Sequence, residues 1–149
     1  MSTAIHRVHA TTVAVFETGQ ADAAGLVLLG PSGAGKSALA LRLLALGARL
    51  VADDQTCLVA RDDRLVASSP PALRGLIEAR GVGLLRVAPL AEAPVVAAVD
   101  LGQTETARLP PPRQWSALGV SVPLLHGVAS TAFPAALLAY LRQGRSDAP

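Results

Sequence analysis

The sequence predicts an α/β domain with a mixed, strand-rich sheet and few helices, and three observations carry that prediction. A short apolar run, Gly25-Leu26-Val27-Leu28-Leu29, leads into the glycine-rich segment Gly30-Pro31-Ser32-Gly33-Ala34-Gly35-Lys36-Ser37 and then into a leucine-rich helical pattern. Elsewhere, turn residues divide the chain into short runs rich in Val, Thr, Leu and Ala, which read as strands. Only one other segment, Pro134 to Gln143, has a helical pattern. Two helices against roughly eight or more strands are too few for a sheet in which each parallel strand follows a helical crossover.

The length of 149 residues suits one domain spanning 1–149, and 51% hydrophobic residues suffice for a core. Val8 to Phe16, rich in Val and Thr, predicts a strand, and Gly19 to Gly25 a small-residue turn. Leu39, Leu43, Leu44 and Leu46 with intervening Ala predict a helix of about ten residues, with Gly47 as its C-cap. Ala48 to Ala52 predicts the next strand, which ends at Asp53-Asp54. Thr56 to Ala60 and Leu65 to Ala67 flank Arg61-Asp62-Asp63-Arg64 as a hairpin, and Pro70-Pro71 breaks the chain. Short apolar runs around Leu76-Ile77 and Leu84-Leu85 are separated by Gly81-Val82-Gly83. Pro94 to Leu101 and Leu118 to Leu125 predict strands on either side of a loop at Pro110-Pro111-Pro112. Pro134 falls in the first turn of the terminal helix, with Ser130 or Thr131 near the cap.

Composition narrows the function. A net charge of +2 without a basic cluster argues against nucleic acid as a partner, and the few aromatics, Phe16, Trp115, Phe133 and Tyr140, do not interleave with basic residues. The single cysteine, Cys57, cannot form an internal disulfide and lies in an apolar run, as expected for a buried, unreactive thiol in a reducing cytoplasm. The N-terminus lacks a signal-peptide pattern, and no apolar run is long enough to span a membrane. A cytoplasmic protein with no membrane association is expected.

The glycine segment carries the chemistry. It satisfies G-x-x-x-x-G-K-[ST] in full, between a strand and a helix. Lys36 is the only lysine among thirteen basic residues, and it stands where a compact ammonium suits the outer phosphates of a nucleotide. Backbone N–H groups of such a loop favour anionic phosphate. The pattern predicts binding of a nucleoside triphosphate with magnesium, the Ser37 hydroxyl serving as a metal ligand. Asp53 and Asp54, at the end of the next strand, are placed to approach the same phosphates. One carboxylate can act on the metal or its water while the other takes a proton from an attacking hydroxyl. A solvated Asp-Asp turn is the bland alternative. Spacing alone gives no role to His9, His6 or His126. Glu78 and Arg80, set in an apolar strand pattern before paired glycines, suggest either a functional role or a salt bridge across an edge strand.

Taken together, His9 at a strand start, the loop Gly30 to Ser37, the run Gly47 to Asp54 and the segment Glu78-Ala79-Arg80-Gly81-Val82-Gly83-Leu84-Leu85 resemble the catalytic domain of bacterial HPr kinase/phosphorylase. The clear resemblance covers about residues 8 to 90. It implies ATP as donor, Lys36 on its β- and γ-phosphates, and magnesium on Ser37 and Glu78. It further implies Asp53 as the proton-accepting base polarised by His9, with Asp54 beside it, and Arg80 on phosphate or ordering its own loop. The implied acceptor is a serine of the phosphocarrier protein HPr, within the phosphotransferase system, and inorganic phosphate drives the reverse reaction. The implied fold is that shared with phosphoenolpyruvate carboxykinase, and the family assembles as a hexamer.

Three features depart from the family pattern. The chain looks like a truncated form, without the N-terminal domain of full-length members. Val122-Pro123 is followed by Leu124-Leu125-His126-Gly127-Val128, where such members carry Gly-Arg-Asn, so weak phosphorylase activity is expected unless Arg108 or Arg113 supplies a cation. The C-terminal helix is short. Two other functions compete: a small-molecule kinase of the shikimate or gluconate type, and a non-catalytic ATP-sensing module. The first is disfavoured because Asp53-Asp54 leads into a hairpin rather than helices; intact Lys36, Ser37 and Asp53 disfavour the second.

Overall fold

A computed structural model describes residues 4–16 and 22–146, so the start of the turn expected at 19–25 lies outside the described residues. The segment expected as one strand from Val8 is two, β1 (His6–His9) and β2 (Thr11–Val15). The break falls at Ala10, whose N–H donates to the Asp54 carbonyl at 3.1 Å instead of joining a ladder. β3 (Ala24–Leu29) runs into the glycine loop and α1 (Lys36–Ala45). Gly47 follows the helix in a left-handed conformation, φ 108°, which a glycine adopts without strain. β4 (Arg49–Ala52) then delivers the two aspartates.

β5 (Gln55–Arg61) and β6 (Arg64–Ser68) form the expected hairpin, turning through Asp62 and Asp63, both at positive φ. A 3-10 turn at Pro71–Leu73 precedes a separate two-stranded ribbon, β7 (Leu76–Ala79) and β8 (Gly83–Arg86). β9 (Glu92–Thr104) is longer than its apolar run suggested. It pairs antiparallel with β6 through residues 92–94 and parallel with β3 over 95–100. β10 (Gln114–Ala117) was not anticipated: its sequence is half polar, and it forms because it pairs antiparallel with β11 (Val120–Gly127). The intervening Leu118-Gly119 is the turn, with φ 50° and 78°, so the expected strand starts at Val120. α2 (Phe133–Gln143) closes the described chain. Ala132 is its N-cap, and Ser130 and Thr131 lie just before it as expected, with Ser130 Oγ accepting the Ala132 N–H at 3.1 Å.

The main sheet has the order β1-β5-β6-β9-β3-β2-β4, with β11 attached to β9 and β10 to β11. β3 is central and buried on both sides, which explains its unbroken apolar sequence. Leu26 and Leu28 face α1 and α2, joining Leu39, Leu43, Leu137 and Leu141. Val27, on the opposite side, packs with Val51, Leu58, Leu65 and Ala98, where the β5–β6 hairpin covers the sheet. Cys57 is half-buried rather than buried. Among the described residues, no helix is long and apolar enough to cross a membrane.

Candidate active site

The glycine loop leaves the C-terminal end of β3 beside β9. Gly30 has φ 143°, and a Cβ there would lie 3.0 Å from Ala34 Cβ and 3.3 Å from the Gly102 nitrogen, so both conformation and space call for glycine. Gly35, left-handed at φ 99°, starts α1 with no side-chain cap and no acidic residue in the first turn. The first-turn N–H groups therefore lack an anionic partner from the chain itself, the arrangement that suits a bound anion. Lys36 is buried, 6% exposed. Its Nζ donates to the carbonyls of Gly30 (2.7 Å) and Pro31 (3.1 Å), curling the loop around the ammonium.

The two aspartates occupy different environments. Asp53 is 7% exposed and accepts three hydrogen bonds: Ser37 Oγ (2.7 Å) and Thr11 Oγ1 (3.0 Å) on Oδ1, and the Glu78 N–H (3.0 Å) on Oδ2. Its side chain thus ties the glycine loop, β2 and β7 to one point. Asp54 turns outward through a left-handed φ of 66°, and its side chain is 66% exposed. Its Oδ1 lies 2.7 Å from His9 Nε2. The expectation that His9 polarises Asp53 is therefore corrected: His9 pairs with Asp54. The reason is backbone geometry, since the left-handed residue sends the second carboxylate to the opposite side from the first, toward the exposed end of β1.

Glu78 reaches the cluster through its backbone amide, and its side chain is exposed beside it. Arg80 lies past the end of β7, exposed, with no hydrogen bond or ion pair among the described residues. The structure thus brings together Ser37, Asp53, Asp54, His9 and the Glu78 backbone on one edge, and leaves Arg80 at its margin. Thr11 is the contributor that sequence reasoning missed. The available signal was Thr11-Thr12 at the start of the otherwise apolar β2, both fully buried. Arg113 does not reach the cluster. Its guanidinium donates to both carboxylate oxygens of Glu105, which, with the Ala107 N–H, holds the Glu105 carboxyl below the usual range.

The family model for the HPr Serine kinase C-terminal domain matches residues 2–97, more than half of the chain. The chain belongs to that family. HPr kinase/phosphorylase of Limosilactobacillus reuteri (strain DSM 20016) is 45% identical over 67 residues, 44% of this chain and 21% of that protein. The protein of the same name from Thermoanaerobacter sp. (strain X514) is 48% identical over 67 residues, 44% of this chain and 22% of its own length. The matched part is thus about a fifth of these relatives. Among solved structures, the Hpr(Ser) kinase/phosphatase from Coxiella burnetii superposes with a TM-score of 0.73 at 22% identity, covering 90% of this chain and 92% of that one. That likeness establishes a shared strand-rich mixed sheet with two helices, including the C-terminal third that the family model does not reach.

Proposed function

We propose that the chain is an ATP- and magnesium-dependent kinase that phosphorylates a serine of an HPr-like phosphocarrier protein, on a phosphate-loop fold of the phosphoenolpyruvate carboxykinase type. The observation that supports this reading is the division of labour between adjacent carboxylates. Asp53 is buried and accepts three hydrogen bonds, two on Oδ1 and one on Oδ2, so most of its acceptor capacity is spent inside the protein, holding Ser37 in place. Asp54 is exposed and held by one imidazole, which leaves its second oxygen for an incoming hydroxyl. In this reading Asp54, not Asp53, accepts the serine proton, and His9 orients it.

The donor set suits magnesium. A serine hydroxyl and one carboxylate, Glu78, are few protein ligands, and magnesium commonly keeps waters and substrate phosphates in its remaining positions. When bound, the ion neutralises charge on the transferred group. Lys36 would exchange its two loop carbonyls for phosphate oxygens, and the first-turn N–H groups of α1 would hold the rest of the phosphate chain. The reverse reaction brings inorganic phosphate against a phosphoserine, and two anions require fixed cations. Arg113 is engaged by Glu105 and residues 124–128, directly after Val122-Pro123, contain no arginine, so slow phosphorylysis is expected.

Transfer of label from γ-labelled ATP to a serine of an HPr-like acceptor tests the proposal. Labelling of small hydroxyl compounds instead, or ATP binding without any transfer, would overturn it. Release of pyrophosphate from serine-phosphorylated acceptor in millimolar phosphate as fast as the forward reaction would refute the expectation for the reverse direction.

A further inference from the structure

We propose that Thr11 is a positioning residue that sets the different roles of Asp53 and Asp54 through a single hydroxyl. The inference rests on the assignment of Asp54 as the base. Thr11 is completely buried, and its Oγ1 meets both aspartates: it donates to Asp53 Oδ1 at 3.0 Å and accepts the Asp54 N–H at 3.3 Å. The direction of both bonds is unambiguous, because a carboxylate oxygen accepts and an amide donates. The hydroxyl therefore fixes one side chain and the backbone of its neighbour at once.

Asp54 needs that restraint. Its left-handed φ is uncommon outside glycine, though aspartate tolerates it better than most, and relaxing it would swing the carboxylate off His9. Three consecutive residues grip Asp54: His9 by its ring, Ala10 by an N–H to the Asp54 carbonyl, and Thr11 by its hydroxyl. A second layer holds the grip in register. Thr56 Oγ1 donates to the Ala10 carbonyl at 2.9 Å, so its one proton is engaged, and Thr12 Oγ1, 2.9 Å away, must donate to it. Thr12 and Thr56 are also completely buried. A valine would fill the Thr11 site equally well, so packing does not account for a hydroxyl there.

Thr11→Val and Thr11→Ser separate hydroxyl from shape, measured by steady-state phosphoryl transfer to an HPr-like acceptor and by calorimetric binding of Mg-ATP. Thr11→Val is expected to lower kcat about 10²-fold, as for a catalytic group displaced by roughly 1 Å, with Mg-ATP affinity changed less than about threefold and Thr11→Ser within about threefold of wild type throughout. Should Thr11→Val fail to fold, Thr11→Ala replaces it with the same expectation. A hydroxyl-less variant with wild-type kcat overturns the inference, as does Thr11→Ser falling as far as Thr11→Val, which would make the methyl the essential group. If the wild-type protein itself transfers no phosphate, the functional assignment has failed. The positioning role is then read from the Asp54 amide, whose hydrogen exchange must accelerate in Thr11→Val and stay slow in Thr11→Ser.

Discussion

Residues 9–86 and residues 98–146 share one sheet but contribute to it differently. The first stretch supplies the hydrogen-bonding side chains His9, Thr11, Lys36, Ser37, Asp53 and Asp54 of the candidate site. The second supplies Val99, Leu137, Leu138 and Leu141 to the core and a parallel partner for β9. The family model ends at residue 97, whereas the structural likeness covers 90% of the chain. Fold is preserved where apolar volume is the only demand, and many sequences meet that demand. A site needs particular atoms at particular distances, so its sequence is more constrained.

The comparison breaks most readily at Lys36. Lys36→Ala removes the ammonium that curls the loop and that the proposed mechanism sets on phosphate, so nucleotide-dependent transfer should vanish while circular dichroism stays native. Transfer at the wild-type rate would remove the glycine loop from the mechanism.

The next largest effect separates the two aspartates. Asp54→Asn keeps a residue that tolerates left-handed backbone but removes the proposed base, so turnover should fall about 10²–10⁴-fold with Mg-ATP binding retained. Asp53→Asn replaces one carboxylate oxygen by NH2, which on the Oδ2 side would face the Glu78 N–H, a donor that cannot rotate away, and on the Oδ1 side forces the Ser37 and Thr11 hydroxyls to turn and accept. It should cost about 1–3 kcal/mol of stability and weaken Mg-ATP binding as well. Thermal melts and calorimetry on both variants check this; the reverse pattern would return the base to Asp53.

Much of this region was legible in the sequence, and the illegible parts have physical causes. The glycine loop could be read because glycine, lysine and serine each have a local reason to be there. The α1 helix and the β5–β6 hairpin follow from periodicity and turn residues within a few positions of themselves. Which aspartate faces His9 could not be read: it depends on the sign of one φ at Asp54, set by contacts with residues over forty positions away in sequence. The burial of Lys36 was illegible for a related reason, since its carbonyl partners become acceptors only once the loop has curled. β10 was missed because its pairing with β11, not its composition, makes it a strand.

A third prediction sharpens the contrast from the side of the packing region. Leu137 on α2 is 1% exposed among Leu26, Leu28 and Leu43. Leu137→Ala should cost about 2–5 kcal/mol in denaturant unfolding, through lost burial and the cavity left behind. Measured where the variant is folded, kcat should stay near wild type. A large fall in kcat in a folded variant would show that α2 shapes the site, and the division between the two regions would fail.

The smallest effect concerns the loop between β9 and β10. Arg113 and the Ala107 N–H hold the Glu105 carboxyl below its ordinary range. A carboxyl depressed on folding adds stability above its unfolded pKa, and that contribution fades as pH falls through the folded value. Glu105→Gln removes the charge but keeps an acceptor for Arg113, so the variant should melt slightly below wild type at neutral pH. The difference should shrink on acidification, because protonating Glu105 brings the wild type to the same neutral state. Phosphoryl transfer should be unchanged at every pH, as the pair lies outside the cluster around Asp53 and Asp54. A melting difference that is constant with pH would mean the loop is held by packing and by the backbone bonds to Thr106 and Ala107 rather than by the ion pair. A loss of transfer would mean that this loop, though remote from the aspartates in the free protein, meets the acceptor.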